Sequence, residues 1–73
     1  MNFRKATDAL LESVTLQDLA DAVGVSLQAI RQARAAEGSA AYRRPPDRWE
    51  PAVAKLARSA ASRLSKLAER LEG

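Results

Sequence analysis

Gln28, Arg31, Gln32 and Arg34 occupy one seven-residue stretch whose other positions, Ala29, Ile30 and Ala33, are apolar or small. A Gln amide pairs in bidentate fashion with adenine, and an Arg guanidinium does so with the two acceptors of guanine. Arg43 and Arg44 follow after a short interval, and their planar forks suit phosphate oxygens. Such groups suit the reading and gripping of a nucleic acid rather than the making or breaking of bonds. The chain has no Cys and no His, which excludes disulfides, thiolate or imidazole metal sites, and Cys- or His-based catalysis. Its serines stand near expected helix caps or on the polar flank of the last helix, with no base to activate them. Asp18 and Asp21 are the one pair that resembles a metal site. No further ligand residue converges on them, so capping and solvation account for both. Neither a metal, a cofactor nor an enzymatic activity is expected.

The elements that must position those side chains lie in residues 16 to 35, LQDLADAVGVSLQAIRQARA. Leu19 and Val23 are four apart and share one face of a first short helix. Ala20 beside Leu19 lets a second helix approach closely. Gly24 follows as a left-handed C-terminal cap that reverses the chain. Val25 plugs the corner, and Ser26 stands where an N-cap belongs. Ile30 and Ala33 turn inward from the second helix, leaving Gln28, Arg31, Gln32 and Arg34 on its polar outer face. Two amphipathic helices joined by such a corner make a helix-turn-helix.

With Leu16 as its first position, the segment resembles the DNA-binding helix-turn-helix of the Cro and phage-repressor family. The matching residues are Leu19, Ala20, Val23, Gly24, Val25, Ile30 and Ala33, the last small where a large apolar residue is usual. The resemblance covers about a quarter of the chain. It implies that Ser26, Leu27, Gln28, Arg31 and Gln32 face the bases of double-stranded DNA. Leu27 departs from the pattern: it can meet a thymine methyl or pack on the preceding helix.

Charge is distributed in the same sense. The net charge is +3. Residues 1 to 25 set Arg4 and Lys5 against Asp8, Glu12, Asp18 and Asp21, a net of −2. Residues 26 to 48 set Arg31, Arg34, Arg43, Arg44 and Arg48 against Glu37 and Asp47, a net of +3. Positive charge therefore begins at the second helix of the motif, and every basic residue of that middle segment is Arg. The competing reading is a merely solvated basic surface.

The rest of the chain supplies support. Phe3, Ala6 and Leu10 make a stripe for a helix from Phe3 to Glu12, covering the back of the motif. Arg4 and Lys5 on it fit a solvated surface. Thr15 caps the next helix, with Asp18 three residues on as the capping-box acid. The recognition helix is expected over 27–36. Residues 38–49 form an extended loop around Pro45 and Pro46, in which Trp49 covers apolar surface between the third and fourth helices. The loop lacks the alternation of a hairpin, so no wing is expected. From Pro51 to about Leu71 a long helix has neither Gly nor internal Pro. Val53, Ala57, Ala60, Leu64, Leu67 and Leu71 recur along it at heptad spacing. Its first half is expected to pack on the motif, and Ala60, Leu64, Leu67 and Leu71 to pair it with a second copy. The alternative is that the helix folds back and its leucines serve one monomer.

The expectation is one all-α domain of 73 residues, with four helices, a helix-turn-helix at 16–35 and a long C-terminal helix. It is read as a cytoplasmic, homodimeric regulator on a pseudo-palindromic operator, with no membrane segment. So short a chain has little room to recruit polymerase, which favours repression. The rival is a protein-interaction module of antitoxin or accessory type, using the leucine seam.

Overall fold

The computed structural model describes residues 1–73, arranged as four helices without strands. They are α1 (Phe3–Leu10), α2 (Leu16–Val23), α3 (Leu27–Arg34) and α4 (Trp49–Glu72). α1, α2 and α3 surround one small core, and the first half of α4 closes it by packing on α1 and α2. α3 packs on α1 and α2 but not on α4, so one side of α3 has no helix over it.

The core is Phe3, Leu10, Val14, Leu19, Ala20, Ile30, Ala33, Val53 and Ala60, with Leu19 and Ile30 fully buried. Truncating either to Ala would cost about 2–5 kcal/mol. A domain of this size has a total stability of only about 4–11 kcal/mol, so each is close to indispensable.

α1 stops at Leu10, two residues before Glu12. The chain continues in a turn, with Ser13 N–H and Val14 N–H both donating to the Leu10 carbonyl at 3.0 and 3.2 Å. That turn delivers Val14 into the core. Thr7, rather than Ala6, is the fully buried residue of the α1 stripe. Its hydroxyl donates to the Phe3 carbonyl at 2.8 Å, so its polarity is satisfied inside the helix. Asn2 caps α1 by accepting from Lys5 N–H at 2.8 Å.

α3 ends at Arg34, not Ala36, because Ala35 is extended (φ −65°, ψ 158°). The Gln32 carbonyl there accepts from Ala35 N–H at 3.3 Å and from Arg43 N–H at 3.1 Å. The returning loop thus takes over a carbonyl that a longer helix would have given to Ala36 N–H. α4 begins at Trp49, which puts Pro51 third in the helix, where its missing amide still has no intrahelical partner to lose. Trp49 packs against the core and meets α1: its ring stands edge-on to Phe3, with centroids 5.1 Å apart and planes at 86°.

Arg63 makes the last hydrogen bond between α4 and the body, donating to the Ser13 carbonyl at 3.3 Å. From Ala61 to Gly73 every residue is exposed. The helix overhangs the body and draws the molecule out to 51 × 21 × 18 Å. No helix is long and apolar enough to cross a membrane.

Candidate nucleic-acid interface

The α2–α3 pair is built by three local devices. Thr15 Oγ1 accepts from Asp18 N–H and Asp18 Oδ2 from Thr15 N–H, both at 3.0 Å, a reciprocal capping box that starts α2. Those bonds to Thr15, aided by the Arg63 charge, hold the Asp18 carboxyl below its ordinary value of 3.8 against a small opposing desolvation. Gly24 ends α2 in the left-handed region (φ 81°), its N–H returning to the Ala20 carbonyl at 2.9 Å. Two residues later Ser26 starts α3, its Oγ accepting from Ala29 N–H at 3.1 Å. Asp21 accepts from Gln17 at 2.9 Å. Each carboxylate of α2 is thus bound within its own helix.

Ile30 and Ala33 pin α3 to the core. That leaves Gln28 and Arg31 exposed and Leu27 and Gln32 half-buried. Neither the Gln28 amide nor the Arg31 guanidinium has a hydrogen-bond partner within the protein. Leu27, at the first helical position, divides its surface between the body and solvent. The first amides of α3, at Leu27 and Gln28, have no carbonyl behind them, and Ser26 keeps its hydroxyl proton available to a phosphate.

The arginines divide into three kinds. Arg34 turns toward α1, its side chain 21 % exposed. One guanidinium nitrogen donates to Thr7 Oγ1 and to the Arg4 carbonyl at 3.3 Å, and the other meets Asp8 Oδ1 at 2.6 Å. Arg34 therefore leaves the outer set and joins the scaffold. Arg43 is exposed but folds over its own loop, donating to the carbonyls of Ala40 and Tyr42 at 3.0 and 2.7 Å. Arg44 is exposed with no partner, and it follows the residue whose amide is bonded to Gln32 of α3. The loop is thus anchored where Arg44 leaves it.

The seam of α4 also divides. Ala60, with Val53, is buried against its own body, whereas Leu64, Leu67 and Leu71 are 48, 49 and 80 % exposed. Ala60 therefore cannot belong to an open pairing face.

Sequence reasoning missed Thr7 because a Thr on an apolar stripe looks like a surface residue. The signal for its role was Arg34 at the far end of α3, which needed an acceptor. Comparison with protein-family models, with curated proteins and with solved structures finds no match.

Proposed function

We propose that the protein is a DNA-binding transcriptional regulator, not an enzyme, with α3 as the helix that enters the major groove. The observation that carries this reading is the position of Gln28 and Arg31. Both stand unpartnered and exposed on α3, the second helix of a helix-turn-helix, whose other side is buried on α1 and α2. Gln28 and Arg31 would read base edges, adenine and guanine by preference, with Gln32 and Leu27 at the margin of the contact. Ser26, the free amides of α3 and Arg44 would hold phosphates. Arg43 would do so after giving up its loop carbonyls. Arg34 would act on DNA only indirectly, by fixing α3 against α1.

The exposed leucines of α4 favour a homodimer, whose two reading helices would meet half-sites about 34 Å apart on a pseudo-palindromic operator. The output we propose is repression, and the protein would work in the cytoplasm beside its operator. The same leucines support a second reading, in which α4 binds another protein and DNA binding is secondary.

The two readings separate on amide spectra of the labelled protein titrated with a generic duplex at low salt. Groove binding predicts shifts centred on residues 26–32 and 44, reversed as salt is raised, since each phosphate contact contributes about 0.9 to the slope of log K against log salt. Shifts confined to α4, or none, would overturn the DNA reading.

A further inference from the structure

The surface that α4 leaves open is not the heptad stripe as a whole. Val53, Leu56 and Ala60 turn into the protein's own body. At about 100° per residue, Ala57, Ala61, Leu64, Ala68 and Leu71 fall within an arc of roughly 80° beside that buried stripe. All five are exposed. They are spaced four, three, four and three apart, a heptad seam in its own right. The seam has two unlike halves. Near the body it is small, and there Ala57 and Ala61 line an apolar groove of about 310 Å³ with Ala6, Ala9 and Leu10 of α1. Beyond the body it is large, with Leu64 and Leu71 in solvent.

We infer that the occupant of this groove is the overhang of a second copy, laid antiparallel about a two-fold axis at Leu64. Leu71 and Ala57 lie equally far from Leu64, seven residues on either side. An antiparallel two-fold therefore sets the second copy's Leu71 against Ala57, in the groove. Each protruding leucine meets a hollow lined by small residues, and the contact is made twice because the interface is isologous. Parallel pairing does the reverse. It opposes Leu71 to Leu71 and Ala57 to Ala57, which wedges the helices apart at one end and leaves the groove empty.

Charge agrees with the antiparallel choice. Arg58, Glu69 and Glu72 lie on one flank of the seam and are exposed. In antiparallel pairing like flanks adjoin, and Arg58 comes level with residue 70 of the second copy, between its Glu69 and Glu72. That places opposite charges side by side at both ends of the interface. Arg63, Lys66 and Arg70 lie on the far side of α4 from the seam and stay outside the interface in the antiparallel form.

The arrangement also fixes a distance. Val53, where α4 is anchored in the body, is eleven residues from Leu64. The two anchors then stand about 33 Å apart along the helix axis, close to the ~34 Å turn that separates half-sites. This inference rests on the dimer proposed above, and its test involves no DNA.

Because the chain has no cysteine, single thiols can be placed at will on exposed positions without touching the core. Three variants of the full chain are treated with a short bismaleimide after circular dichroism has confirmed their helicity. Leu64→Cys is expected to give a covalent dimer. Ala57→Cys combined with Leu71→Cys is expected to do so as well. Leu71→Cys alone is expected to remain monomeric on denaturing gels, because its two copies are about 21 Å apart. Efficient linkage through Leu71→Cys alone would overturn the inference in favour of parallel pairing. No linkage in any variant, with a monomer mass by light scattering at about 100 µM, would overturn it in favour of a different partner chain. Either failure leaves the duplex titration free to succeed or fail independently.

Discussion

Arg34 Nη2 lies 2.6 Å from Asp8 Oδ1, so the last residue of α3 is bonded to the middle of α1 across 26 positions of sequence. It is the one ion pair in the structure. The same guanidinium donates to Thr7, which is fully buried and whose own hydroxyl donates to the Phe3 carbonyl. The angle at which α3 is presented to solvent therefore depends on α1, although α1 itself carries none of the proposed reading residues.

Arg34→Ala accordingly lowers stability by about 1–3 kcal/mol, because it leaves the Thr7 oxygen without its donor and frees the end of α3. Thr7→Val keeps the volume and removes the acceptor, and should cost about as much. Urea unfolding of both variants checks this. In DNA binding, Arg34→Ala should leave the salt slope unchanged, whereas a phosphate-binding arginine would take about 1 from it.

Arg31 has no role in holding the fold together. Arg31→Ala should unfold at the wild-type urea midpoint, yet lose about 1–3 kcal/mol of operator affinity and relax preference at a single base pair. Fluorescence anisotropy on duplexes varied at each position would measure it. Equal losses on every sequence would make Arg31 a phosphate contact instead.

The left-handed region is occupied at Gly24, Gly38 and Arg48, and the first and last of these differ in fitness. Gly24 (φ 81°) has nothing within 4 Å of where a Cβ would stand, so Gly24→Ala tests the backbone angle alone. It should cost about 1–2 kcal/mol. Arg48 holds a similar angle (φ 60°) as the N-cap of α4 and supplies no side-chain cap. Arg48→Asn tolerates the angle and offers a capping oxygen, and should raise stability by about 0.5–1 kcal/mol. Thermal unfolding of the two variants should move in opposite directions.

The capping box gives a pH dependence with a defined sign. Folding lowers the Asp18 pKa below its ordinary 3.8, chiefly through the bonds to Thr15. Its contribution to stability is complete above that ordinary value and is lost as pH falls below it, toward the folded pKa. Asp18→Asn should therefore lower stability at neutral pH and flatten the acid limb of the stability curve below pH 3.8. Carbon-detected titration of the Asp18 carboxyl should place it below its ordinary value of 3.8.

Local grammar made the α2–α3 corner legible. Thr15 with Asp18, Gly24, and Ser26 each act within three or four residues of themselves, so their types and spacing are enough. Helix existence was legible for the same reason, while helix ends were not. The end of α3 depends on Arg43 N–H claiming the Gln32 carbonyl from eleven residues away. The fates of Arg34 and Ala60 were hidden for a related cause. A polar residue at the end of an amphipathic helix looks outward until α1 supplies Thr7 and Asp8. A heptad stripe looks uniform until one knows that α1 and α2 cover only part of it.

The central claim is that the outer face of α3 reads duplex DNA in sequence-specific fashion. It is tested most directly by selecting bound duplexes from a random pool with the full chain, at near-physiological salt. The account predicts a pseudo-palindromic motif whose half-sites are about one helical turn, ~34 Å, apart, with enrichment lost in Gln28→Ala combined with Arg31→Ala. A pool that shows no enrichment, or one enriched equally by that double variant, would contradict it.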